Sequence, residues 1–140
     1  MILFTSDIDY RKKSTKTALV YLLISIFTAL FGAVYEKFSH GVYSYSMLYA
    51  FAYTLVLGVL PYLCIAISKE PKLPPVVSRL FCHFGVATLT VGSIIQGVLD
   101  IYGTMNYLSY VYPVIGALLY LAGIISAIVS HKRNKKTPQN

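Results

Sequence analysis

At 140 residues the chain has single-domain length, but 56% of it is hydrophobic and only 12% is charged, a surplus of apolar surface that excludes a soluble core of this size. Its formal charge of +7 falls in clusters at the ends of apolar runs, so the basic character reads as a topology signal and calls for no nucleic acid. The fold class expected is all-α and integral to the membrane: an up-down bundle of four transmembrane helices, both termini cytoplasmic, spanning about 17–36, 46–68, 79–101 and 110–130.

Residues 1–16 form a basic leader in which Arg11, Lys12, Lys13 and Lys16 abut the first apolar run. A signal peptide also starts this way, but the run from Thr17 to Tyr35 exceeds an h-region. Cleavage after Ala33 would also put Phe31 where a small residue is needed, so the segment reads as a retained span. The second span contains Pro61 near Gly58, which predicts a bend in its inner half, tolerable where a neighbour satisfies the freed carbonyl. The connector from Lys69 to Ser78 holds three prolines and cannot be helical throughout.

After the third span, Gly103 to Asn106 make a short turn, and Pro113 falls in the first turn of the fourth span, where its missing N–H matters little. Residues 131–140 form a basic tail expected to be disordered, leaving 17–130 as the transmembrane domain. Eleven of the twelve Lys and Arg residues lie in the leader, the connector with the adjoining Arg79, and the tail, with Lys37 alone on the other side. The positive-inside rule therefore puts both termini and the connector in the cytoplasm and the two short turns outside. Tyr35, Tyr43, Tyr45, Tyr49, Tyr102, Tyr107, Tyr110 and Tyr112 gather at that outer face as an interfacial belt.

Sliding the chain by 60 residues lays Thr28, Gly32, Glu36 and His40 on Thr88, Gly92, Gln96 and Asp100, a parallel two-hairpin repeat with two identical positions. Steps of four put Ser25, Ala29 and Ala33 with Gly32 on one stripe below Glu36, and Thr88 and Gly92 with Ser93 below Gln96 and Asp100. Small faces are where membrane helices meet, which marks Gly32, Gly92, Gly97, Gly116 and Gly123 as packing positions. The polar residues above them point into the bundle.

Glu36 and Asp100 lie near helix C-termini, whose carbonyls already concentrate negative charge, so a positive partner is expected. Glu36, His40, Gln96 and Asp100 are thus the candidate ligand-binding residues. If the first span continues to Gly41 as its C-cap, His40 stands one turn after Glu36. Glu36, His40 and Asp100 would then suit a divalent metal, the candidate cofactor, against the plainer alternative of a wet charge network. Intramembrane ionisable groups suggest transport, but no acid lies at mid-bilayer, and only Thr28, Thr88 and Thr90 are left to line a shallow cavity.

His83 beside Cys82 reads as an interfacial hydrogen-bonder near Arg79, and two histidines at opposite faces do not suit a haem. Cys64 and Cys82 lack metal or redox spacing and are expected as buried free thiols. No nucleophile elbow, phosphate loop or zinc-protease motif is present, so catalytic residues are not assigned. The function expected is that of a small multi-pass binding or accessory subunit whose outward site holds a cation, a small polar ligand or a partner protein. A small transporter working as a homo-oligomer is the alternative, a metal-dependent membrane enzyme the third reading, and the bacterial plasma membrane the expected location by base rate.

Overall fold

Four long apolar helices carry the chain across a membrane four times. The structure, a computed structural model, describes the backbone of residues 2–136 and the side chains of residues 5–134. Helix α1 runs Ile2–Phe38, and the second span α2 covers Tyr45–Ile67. Helix α3 runs Val76–Tyr102, and a short 3-10 turn at Tyr107–Tyr110 leads into α4 at Val111–Lys136. Each span packs chiefly against its neighbours in sequence, α3 lying along the length of α4.

The leader is not separate from the first span: the 37 residues of α1 form one helix. At a rise of about 1.5 Å per residue it is about 55 Å long, beyond the roughly 30 Å hydrocarbon core. Arg11 donates through Nη2 to the Ser68 carbonyl at 3.0 Å, which ties the basic leader to the end of α2. The tail also differs from expectation, because α4 stays helical to Lys136; residues 137–140 lie outside the described residues. Leader, connector and tail therefore meet at one end of the bundle, called here the basic end, and the two short turns form the turn end.

The face that α1 buries is Ser14, Ala18, Tyr21, Ser25, Thr28 and Gly32. Its alternating steps of four and three follow a 3.5-residue seam. The stripe expected in steps of four drifts off this seam by about 40° per step, so Ala33 faces outward and Ala29 is only half-buried.

Span α2 is irregular. It breaks at Tyr49 and passes through a π-helical stretch at Tyr53–Val59 before regular helix resumes at Leu60–Ile67. The wider π turn strands carbonyls, and hydroxyls replace the lost donors: Thr54 at 2.8 Å and Ser25 at 3.2 Å both bond the Phe51 oxygen. The irregularity expected at Pro61 thus begins before it.

Helices α3 and α4 approach closely through glycine. A Cβ on Gly116 would stand 2.7 Å from Leu89 Cγ, and one on Gly123 would stand 2.5 Å from Cys82 Sγ. Ser78 Oγ uses the same closeness to donate to the Gly123 carbonyl at 2.5 Å. Gly97 of α3 and Gly32 of α1 close on Met47 from two sides, and a Cβ on Gly97 would lie 2.5 Å from the Met47 Cβ. Gly92 meets Tyr112 of α4 in the same way. Most of α4's apolar side chains, such as Leu118 and Ile125, point away from the bundle, as expected for a lipid-facing span.

Candidate functional site

At the turn end, α3 finishes in a Schellman cap. Gly103 adopts φ 67°, its N–H reaches the Asp100 carbonyl at 3.2 Å, and the Thr104 N–H reaches the Leu99 carbonyl at 3.0 Å. One turn earlier Gln96 donates through Nε2 to Asp100 Oδ1 at 2.8 Å, the i,i+4 pairing that a helix face permits. Ser44, at the start of α2, donates to Asp100 Oδ2 at 2.8 Å. Both carboxylate oxygens are thus held by neutral donors, with no cation among them.

The other two candidate residues lie elsewhere. Helix α1 ends at Phe38, short of Gly41, so His40 is not on the helical face of Glu36. His40 takes the left-handed conformation, φ 57°, in the turn that follows. The Ser39 hydroxyl stabilises this turn, 2.7 Å from the Glu36 carbonyl and 2.6 Å from that of Val42. Glu36 Oε1 is buried without a hydrogen-bond partner among the described residues. The described residues contain no group of three His, Cys, Asp or Glu side chains that could hold a metal ion, so Glu36, His40 and Asp100 are not gathered into a coordination set.

Two hollows flank this region. His40 lines one of about 430 Å³ between the ends of α1 and α3, whose walls include Phe31, Phe38, Tyr35 and Tyr102. Gln96 lines the other, about 260 Å³, between α2, α3 and α4. Tyr45, Tyr49, Tyr53 and Tyr110 supply aromatic surface there, and Ser46, Ser93 and Ser109 supply hydroxyls. Rings Tyr45 and Tyr49 stack with centroids 6.5 Å apart, and Ser93 Oγ donates to the Ser46 carbonyl at 2.5 Å, which anchors α2 on α3. Tyr45, Tyr49 and Tyr110, read from sequence as a belt, thus also build a wall with Tyr53, because Tyr45, Tyr49 and Tyr53 recur in steps of four along α2 and Tyr110 closes the hollow from the turn before α4.

A second polar cluster, which the sequence reading missed, sits within the basic-end half of the bundle. His83 of α3 stands between two tyrosines: its Nδ1 bonds the Tyr21 hydroxyl of α1, and its Nε2 lies 3.1 Å from the Tyr62 hydroxyl of α2. A neutral imidazole offers one N–H and one lone pair, so one hydroxyl donates to the ring and the other accepts from it. The His83 and Tyr62 rings are nearly parallel, 3° apart with centroids at 5.6 Å. Around them Ala18, Val59 and Val86 form the apolar core, with Leu55, Leu73 and Tyr120 packed outside. His83 is therefore a cross-link of three spans rather than a headgroup contact. The available signal was depth, since in the spans expected from sequence, 17–36, 46–68 and 79–101, all three residues lie within two turns of the basic end.

Cys64 is exposed and Cys82 half-buried, both free, so neither is the fully buried thiol expected. Thr28, Thr88 and Thr90 each donate to the carbonyl four residues back, at 2.7, 2.8 and 2.9 Å, and so spend their hydroxyls within their own helices. Comparison with protein-family models, with curated proteins and with solved structures finds no match to this chain.

Proposed function

We propose that this small polytopic membrane protein is a binding protein, and that its turn-end hollow beside Gln96 takes a small organic cation. The observation that carries the reading is the meeting of four tyrosines with Gln96 in a space of about 260 Å³. Tyrosine faces attract cations through the ring quadrupole, and a quaternary or protonated amine is the ligand class best matched to several such faces. The electrostatics point the same way: Asp100 bonds Gln96, and the C-terminal carbonyls of α3 add partial negative charge at that end.

Both termini and the proline-rich connector are cytoplasmic in this reading, by the asymmetry of Lys and Arg, so the hollow opens to the outside. The unpaired Glu36 Oε1 favours a second role for the same end, docking of a partner subunit that brings a basic side chain. A divalent metal is no part of the proposal, because the three residues named for it are not grouped.

Thermal unfolding of the purified protein with tetramethylammonium, and with uncharged tert-butanol as a control of similar shape, tests the cation reading. Stabilisation by the cation alone, lost in Tyr49→Leu and Tyr110→Leu, is expected. Equal response to both compounds, or an unchanged response in the variants, contradicts it.

A further inference from the structure

At the basic end a groove of about 760 Å³ runs between the connector and the last turns of α4. Its inner wall is apolar, formed by Ile65 of α2, Leu73 and Pro74 of the connector, and Ala127 and Ile128 of α4. One turn further out along α4 the wall becomes polar and basic, with Lys72 facing His131 and Lys132 across the opening. The groove is thus amphipathic along one axis, apolar toward the middle of the span and cationic toward its end. Lys72 is paired with Glu70 at 3.0 Å, but the two side chains are 69% and 80% exposed, so solvent screens the pair and leaves the ammonium available to an incoming anion.

We propose that this groove is a binding site for one anionic phospholipid. The acyl chain lies against Ile65, Ala127 and Ile128, and the headgroup phosphate meets Lys72 and Lys132. Charge and depth both match: basic side chains at a span's end stand at headgroup level, and an acyl chain needs the apolar wall directly below. A free phosphate would use only the rim and leave the wall bare, which is why the occupant is a lipid. Each basic side chain near a bilayer surface strengthens attraction to anionic lipid about fivefold, so losing both should weaken retention by more than tenfold.

Native mass spectrometry of the full chain released from phosphatidylcholine nanodiscs, with phosphatidylglycerol titrated in, tests the site. One phosphatidylglycerol retained per chain is expected, strongly reduced in the Lys72→Gln/Lys132→Gln variant, increased in Glu70→Gln, and unchanged in Lys12→Gln/Lys13→Gln. All of these positions are exposed, so the variants are expected to fold, and retained helicity by circular dichroism checks this. Equal retention of phosphatidylcholine, or equal loss in the leader variant, would show only a diffuse lipid shell and overturn the proposal. Equal retention of glycerol phosphate, which lacks chains, would overturn it too.

Discussion

Tyr120 of α4 donates its hydroxyl to the Leu57 carbonyl of α2 at 3.1 Å, inside the π-helical stretch that precedes Pro61. A hydroxyl of one span thus serves the irregular backbone of another. Tyr120→Phe should therefore cost about 1 kcal/mol, the usual net worth of such a bond. In a Pro61→Ala background, where a backbone N–H can return, the same change should cost much less. A double-mutant cycle by chemical or thermal unfolding in detergent gives the coupling. Additive effects would mean that the Tyr120 bond does not depend on Pro61.

His83 makes two hydrogen bonds to two different spans, and its loss should exceed that of either tyrosine hydroxyl. His83→Phe keeps a ring in the stack but strands both hydroxyls, at a cost of about 1–3 kcal/mol. Tyr21→Phe and Tyr62→Phe each strand one ring nitrogen and should cost about half as much. Thermal midpoints of the three variants check the order, and a silent His83→Phe would remove the cross-link from this description.

The contact between α3 and α4 depends on absent side chains. Gly116→Val and Gly123→Val place methyls against Leu89 and Cys82, where even a Cβ stands closer than packed atoms allow. Each should destabilise by more than about 2 kcal/mol. Leu118→Ala on the same helix, 62% exposed, should change little in detergent. Unfolding in dodecylmaltoside, monitored by circular dichroism, distinguishes the two classes.

Much of the architecture was legible because bilayer thickness forces apolar runs of about 20 residues, and those runs mark all four spans. Facing was less legible. Ser25, Thr28 and Gly32 share a seam that depends on alternating steps of four and three, a choice made by the partner helix rather than by α1. Of the four candidate site residues, Gln96 and Asp100 were readable as a pair because i,i+4 proximity is local to a helix. The relation of Glu36 to His40 was not, because it assumed a helix that ends at Phe38. The tyrosine wall was legible only in part: Tyr45, Tyr49 and Tyr53 recur in steps of four, but the approach of Tyr110 from the turn before α4 is set by packing.

Orientation can be read by labelling. In a variant lacking Cys64 and Cys82, a cysteine at Tyr107, 85% exposed at the turn end, should react with a membrane-impermeant maleimide added to intact cells. One at Lys69 should react only after permeabilisation. The reverse pattern would invert the proposed topology.

The most direct test of the central claim is equilibrium binding of tetramethylammonium to the protein in neutral-lipid nanodiscs, by isothermal titration calorimetry, with wild type beside Tyr49→Leu, Tyr110→Leu and Asp100→Asn. One saturable site per chain is expected in the wild type, lost in both tyrosine variants and weakened in Asp100→Asn. No saturable binding to the wild type, or binding undiminished when both tyrosines are replaced together, would contradict a cation site in the hollow beside Gln96.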